Sequence, residues 1–383
     1  MNPKILHAAL FMLNPEGGWG CPILLWGPPG TGKTAFIGGA SKRYSMAFER
    51  LSPAEKGEGM FGVVPVPGND GFLHYPAPDW SRAFEGKSGL IFVDEINTAV
   101  PALQAPLLGL VQLRTLGSHK FDPRTRVVAA ANETSDAAGG WDLAPALANR
   151  FGHFDWRGMD SNDWVVAMIG GFSSEGQVID AEVEERRVLE AWPSAIATAR
   201  GLVAGFIKAR PELLDKRPDK KSKHASRAFP TPRTVEYATY ALASAMVHGL
   251  DESETDLFVS GFVGDGWFGE FATYRKHVDL PDIADLLDKK ISWKHDPRRL
   301  DRTMAVLSAG AALISPANAV NRKDRAKAFW EILGGVSDDA ADVVVPAARA
   351  MRLAQPPLIT KEFGAVGPLS KLHPLMKAIG LVS

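Results

Sequence analysis

The sequence predicts an α/β protein, a parallel sheet flanked by helices and followed by a helical second half. Three observations carry this. First, Cys21–Trp26, Gly89–Glu95 and Thr125–Asn132 are short, nearly continuous apolar runs, the signature of strands buried on both faces of a parallel sheet. Second, helical patterns fall between them, over Thr34–Phe48 and Pro101–Leu113, and strand–helix alternation argues for a layered αβα core. Third, from about residue 160 the strand signal fades and amphipathic stretches such as "VEERRVLEAW" and "TVEYATYALASAMVHGL" take over. The spacing predicts a core over residues 1–155, a helical region over 156–285 and a C-terminal helical extension over 286–383. Asp215–Ser226 carries five lysines and arginines with few apolar residues. That composition reads as a solvated linker rather than a polyanion contact.

Composition narrows the class of function. At 383 residues, 45% hydrophobic and 23% charged, the chain has the make-up of an ordinary globular protein with room for more than one core. A net charge of −1 supplies no global field toward nucleic acid or anionic membrane. The single cysteine, Cys21, excludes an internal disulfide and fits a reducing compartment. The N-terminal "MNPKILHAALFMLNPEGG" is too short in its apolar run, and lacks the basic leader, to read as a signal peptide. No stretch approaches the ~20 apolar residues a membrane helix needs. The expectation is a soluble, cytoplasmic protein with no membrane association.

The chemistry concentrates in three places. "LLWGPPGTGKTAF" contains Gly27, Pro28, Pro29, Gly30, Thr31, Gly32, Lys33 and Thr34, a phosphate-binding loop lying between a buried strand and a helix. Glycines let backbone N–H groups close around a β-phosphate, and the helix N-terminus adds its dipole. Lys33 is placed to neutralise β/γ oxygens, and the Thr34 hydroxyl to ligate Mg²⁺. "LIFVDEIN" delivers Asp94 and Glu95 to the carboxyl end of a second strand, where open α/β sheets bind ligands. Asp94 suits a Mg²⁺ shell and Glu95 a general base that activates water. Together the motifs point to hydrolysis of ATP with Mg²⁺. Asn132 ends the third strand. Its amide suits the holding of an attacking water, although asparagine is also a common turn former.

Gly27–Thr34, "DEIN" at 94–97 and Asn132, in that order, resemble an AAA+ ATPase. "DEIN" followed by "VPALQAPLLGLVQLRTLG" and "LAPALANRF" is similar to the MoxR branch. The likeness covers residues 15–155 and reaches the helical remainder through one motif. It implies an αβα core with a helical lid, assembled as a ring, usually a hexamer. It also implies a chaperone-like remodelling activity on a protein client, often with a partner carrying a von Willebrand factor A domain. By the same resemblance Arg150 in "ALANRF" matches an arginine that reaches into the neighbouring subunit's ATP, its bland alternative being a helix-end cation facing the dipole. Arg233 in "FPTPRTVEYA" matches the lid arginine often called sensor 2. Thr231 as N-cap and Pro232 at the first helical position place Arg233 in a first turn, where a cation is disfavoured unless an anion is near. Thr98 stands where the branch commonly has arginine, and Arg114, Arg124 and Arg126 are open candidates for that arginine's role. A nucleic-acid motor or loader is the alternative reading, opposed by the balanced charge and the lack of a basic stripe with interleaved aromatics.

One stretch interrupts the core. In "FGVVPVPGNDGFLHYPAPDW" (Phe61–Trp80) apolar residues alternate on both sides of a Pro67–Gly71 turn, which predicts a β-hairpin over residues 61–76. Pro65 and Pro67 suit a protruding ribbon that no further strand joins. The resemblance implies a hairpin inserted in the second core helix and projecting toward the pore, the helix resuming over Asp79–Glu85 with Asp79 as N-cap. A second hairpin is expected over residues 114–122. An ordinary solvent loop is the plainer alternative for both.

Overall fold

The computed structural model describes residues 1–55, 61, 64–132, 141–170, 178–219, 222–336 and 340–358. Gly62 and Val63 of the expected hairpin, and residues 359–383 of the expected extension, lie outside them. Strands β1 (Ile23–Trp26), β2 (Ala47–Leu51), β3 (Val66–Pro67), β4 (Leu73–His74), β5 (Gly89–Val93), β6 (Thr115–Leu116), β7 (His119–Lys120), β8 (Thr125–Ala131) and β9 (Gly152–Asp155) fall within the first 155 residues. Helices α1 (Pro3–Leu10), α2 (Lys33–Arg43), α3 (Pro101–Leu113) and α4 (Pro145–Ala148) alternate with them. Beyond β9 the chain is helical: α5 (Ser161–Gly170), α6 (Ala181–Ala209), α7 (Pro232–His248), α8 (Glu252–Val263) and α9 (Asp265–His277) are followed by α10 (Ile283–Leu287), α11 (Leu300–Ile314), α12 (Arg322–Gly334) and α13 (Ala341–Leu353). No helix among the described residues is long and apolar enough to cross a membrane.

Five strands form one parallel sheet in the order β2-β5-β8-β1-β9. β1, β5 and β8 are buried along their whole length, which is why each reads as an apolar run. Two strands escaped the apolar reading. The helix expected over Thr34–Phe48 ends at Arg43, since Ser45 takes a left-handed φ of 49° that a helix cannot continue. The chain then re-enters the sheet as edge strand β2, half-buried except for Leu51. β9 is only four residues long and carries a histidine. Asp79–Phe84 is a 3₁₀ turn rather than a resumed α-helix, with Pro78 at the N-cap. Asp79 is its first residue, and its Oδ1 accepts from the Trp80 N–H at 2.8 Å.

Two short antiparallel ribbons stand off the sheet, β3 with β4 and β6 with β7. They meet where the Ser118 N–H donates to the Tyr75 carbonyl at 3.2 Å. Their bases are anchored by Trp80 stacked on Phe121, ring centres 5.5 Å apart. The first tip is apolar and open: Phe72 and Leu73 are 71% and 65% exposed.

The chain divides into two compact units, residues 1–189 with 215–265, and residues 190–214 with 266–383. In the first, α7 and α8 pack on one another and on α1, and α8 packs on β9. The Ser244 hydroxyl donates to the Ala8 carbonyl at 2.8 Å, and Tyr237 stacks on Phe262. Arg126, wholly buried at the start of β8, donates to Glu185 Oε1 at 2.6 Å and to the Leu10 carbonyl at 3.0 Å. One guanidinium thereby joins the sheet, α1 and the first turns of α6. The second unit has its own core, in which Leu307, Ile314, Phe329, Trp330, Val343 and Met351 bring α11, α12 and α13 together.

β9 holds a titratable group where none can be charged. His153 accepts from the Trp26 indole N–H at Nδ1, 2.9 Å away, and its Nε2 faces the Ala148 carbonyl at 2.9 Å. This pattern suits the neutral Nε2–H tautomer, and burial lowers the ring's pKa to about 4. An unfolded histidine titrates near ~6.5, so below that pH the unfolded chain takes up a proton that the fold refuses. Stability should therefore fall as pH drops from ~6.5 to ~4, by on the order of 3 kcal/mol. In urea unfolding at stepped pH, His153→Gln should flatten that slope. A slope unchanged in the variant would show that His153 does not set it.

Candidate functional site

The loop from Gly27 to Gly32 leaves the carboxyl end of β1 and turns into α2 at Lys33. Gly30 and Gly32 take left-handed φ values of 74° and 86°, conformations that cost a side-chain-bearing residue energy. At Gly27 the constraint is space, because a Cβ there would lie 2.3 Å from the Trp156 carbonyl oxygen. Trp156 follows β9 and braces the loop. Its indole N–H donates to the Thr31 carbonyl at 3.0 Å, its backbone N–H to the Trp26 carbonyl at 2.6 Å, and its ring lies against Phe36. Nothing in "GHFDW" advertised that role, since one aromatic after a short strand is ordinary core material.

Lys33 is buried, and its ammonium donates to the Gly27 carbonyl at 2.7 Å, the Pro28 carbonyl at 2.8 Å and Asn132 Oδ1 at 3.0 Å. Burial lowers its pKa, and Asp94 and Glu95 oppose that shift. Asn132 is buried at the end of β8 and is fixed from behind by Asn97. The Asn97 amide donates to the Asn132 carbonyl at 3.0 Å, and its oxygen accepts from the Asn132 N–H at 3.4 Å. Asn97 belongs to the "DEIN" run, but only the fold reveals it as the support of Asn132.

Asp94 follows β5 and is almost fully buried. Its Oδ2 accepts from the Thr34 hydroxyl at 2.9 Å and from Arg50 Nε at 2.8 Å. Arg50, on β2, also forms a two-pronged pair with Glu55. The Glu55 and Asp94 carboxylates hold the guanidinium firmly protonated. Glu95, half-buried beside Asp94, has a left-handed backbone with φ 54°, a conformation worth about 1–3 kcal/mol of strain in a non-glycine residue. Its carbonyl accepts from both the Thr98 N–H and the Thr98 hydroxyl at 2.8 Å. Thr98 thus caps the tight turn that presents the Glu95 carboxylate.

Lys33, Thr34, Asp94, Glu95 and Asn132 therefore converge at the carboxyl ends of three adjacent strands. Arg150 and Arg233 lie apart from that bonding network. Arg150 Nε donates to Gln112 Oε1 at 2.7 Å and another of its nitrogens to the Ala146 carbonyl. Burial, then the nearby Arg233 cation, lowers its pKa. Thr231 N-caps α7 in a reciprocal bond with Thr234, Pro232 begins the helix, and Arg233 follows in its first turn. Arg150 and Arg233 thus face one another closely enough to repel. Arg114 and Arg126 are buried and spend their donors internally, Arg114 on the carbonyls of Thr125, Val111 and Gly20. Arg124 binds Asp122, Glu182 and the Gly86 carbonyl. These three arginines serve the fold of their own chain.

Residues 23–156 match the family model described as "ATPase family associated with various cellular activities (AAA)". No curated protein sequence matches the chain. Among solved structures, a candidate ATPase from Cytophaga hutchinsonii is similar over 70% of this chain and 77% of its own, with 15% identity and a TM-score of 0.42. The segment matched by the family model begins at the first residue of β1 and ends one residue past β9, so all five strands of the sheet and the Lys33–Asp94–Asn132 cluster lie within the matched segment.

Proposed function

We propose that the chain hydrolyses ATP as a MoxR-type AAA+ protein, a ring-forming, chaperone-like factor that remodels a protein partner. The observation that carries the reading is the convergence of a phosphate loop, two adjacent carboxylates and a strand-end amide at the carboxyl ends of three adjacent parallel strands. ATP is the substrate. Phosphate oxygens entering the loop exchange places with the carbonyl partners of Lys33. Glu95 accepts a proton from a water whose oxygen attacks the γ-phosphorus, while the bond to the departing ADP oxygen breaks. Asn132, held by Asn97, orients that water.

The Thr34 hydroxyl and the Asp94 carboxylate are hard oxygen donors 2.9 Å apart, a donor set that fits Mg²⁺. Mg²⁺, when bound, supplies neutralisation of the β/γ oxygens. Arg50 balances the Asp94 charge from the other side. Among the described residues, Arg150 and Arg233 form a cationic pair with no carboxylate bonded to either, which suits a phosphate. In the ring we propose, a hexamer by the resemblance to the MoxR branch, Arg150 serves the ATP of the adjacent subunit. The apolar tip at Phe72 and Leu73 supports a protein client as the object of the motion, and a partner with a von Willebrand factor A domain remains part of this proposal.

Glu95→Gln removes the base and keeps the shape. It should leave ATP affinity near the wild-type value and lower turnover by ~10²–10⁴-fold, read by phosphate release beside equilibrium ATP binding. Wild-type turnover in this variant would sink the assignment of the base. Arg150→Ala should abolish turnover alone, yet mixing it with an inactive Lys33→Ala chain should restore part of it, because each supplies what the other lacks. Mixed rings that form, shown by differential tagging, and stay inactive would exclude the action of Arg150 across subunits.

A further inference from the structure

Away from the phosphate loop, three segments of the first compact unit bring metal-ligating side chains together. His7 lies on α1, Glu184 in the first turn of α6, and His248 is the last residue of α7. We infer that His7, Glu184 and His248 form a binding site for one divalent cation of zinc's coordination chemistry, clamping the chain's first helix to the far end of α7. Their ligand atoms all lie within 4.8 Å of one another. His7 Nε2 is 2.9 Å from Glu184 Oε1, and His248 Nδ1 is 3.6 Å from the same oxygen. Donors held tetrahedrally at ~2.0–2.1 Å from a zinc ion stand ~3.3 Å apart, so small side-chain adjustments complete the site.

The protonation states already suit a metal. Burial lowers the pKa of His7 and takes that of His248 down to about 3, leaving both imidazoles neutral. Burial opposes ionisation of Glu184, but hydrogen bonds from Arg187 and His7 outweigh it and hold the carboxyl at about 2. Behind His7, the Tyr44 hydroxyl lies 2.9 Å from Nδ1. A hydroxyl donates or accepts, so the ring can move its proton to Nδ1 and offer Nε2 to a cation without losing this support. Two imidazoles and one carboxylate, with a fourth place for water, favour a zinc-like ion over Mg²⁺ or Ca²⁺.

Arg187 marks where the cation belongs. One of its N–H groups donates to Glu184 Oε1 at 2.6 Å and reaches His248 Nδ1 at 3.0 Å, so a positive charge already bridges two of the three ligands. Its side chain is 46% exposed, so it can leave toward water when a metal arrives. Arg187 is thus a competitor for the site. Because α7 carries Arg233 at its start and His248 at its end, an ion there would steady the helix that presents Arg233.

The test is titration of metal-free, full-length protein with Co²⁺, read by visible ligand-field absorption and by displacement with Zn²⁺. One equivalent should bind. His7→Ala and His248→Ala should each weaken binding by about tenfold or more, whereas Arg187→Met should tighten it by roughly tenfold through loss of the competing charge. Binding should persist in Asp94→Asn. No absorption band, a band unaffected by both histidine variants, or a band lost in Asp94→Asn would overturn the site. Should the histidine variants misfold, Arg187→Met decides, since unchanged affinity there also overturns it.

Discussion

A lysine ammonium held out of water is the constraint around which the first compact unit is organised. Lys33 is 7% exposed, and a charge removed from solvent needs oxygen atoms in its place. The Gly27 and Pro28 carbonyls come from its own loop, but Asn132 Oδ1 comes from a residue 99 positions away. That bond exists only because β1 and β8 are neighbours in the sheet. The Thr34–Asp94 bond likewise requires β5 to lie on the other side of β8. Strand order, loop shape and the location of the chemistry are thus one solution to one electrostatic problem. Carbonyl oxygens are weaker partners for an ammonium than phosphate oxygens, so the lysine is satisfied but exchangeable.

The central strands and the phosphate loop were legible because their determinants are local. A strand buried on both faces must be apolar throughout, and the loop requires glycine where φ is positive or space is missing. β2 was not legible. Its "AFERL" is neither a continuous apolar run nor a strict alternation, is half-buried, and joins a helical pattern with little punctuation beyond Ser45. β9 hid because a buried histidine reads as polar until its Trp26 and Ala148 partners are seen. Arg114 and Arg126 stayed open candidates for the role of the arginine that Thr98 replaces for the same reason. Arginine is exposed by default, and only tertiary structure supplies the ring of carbonyls that lets it be buried. Arg50 and Trp156 act across 44 and 125 residues of chain, distances over which sequence spacing carries no signal.

The same accounting separates the cations by purpose. Arg126 is enclosed and paired with Glu185, and burial still takes its pKa down to about 10. Removing one partner of such a pair strands a charge at a cost of about 3–5 kcal/mol, so Arg126 is committed to the fold. Arg50 is committed to Asp94 and Glu55. Arg150 and Arg233 differ. The first is bonded only to neutral acceptors, and the second makes no hydrogen bond or ion pair among the described residues. Burial, and then the Arg233 cation, raise the cost of charging Arg150. A second cation beside Arg150, set in the first turn of α7 where the helix dipole disfavours positive charge, is a standing electrostatic penalty. An anion of two or more charges would convert that penalty into attraction, and on this the proposed phosphate-binding role of the pair rests.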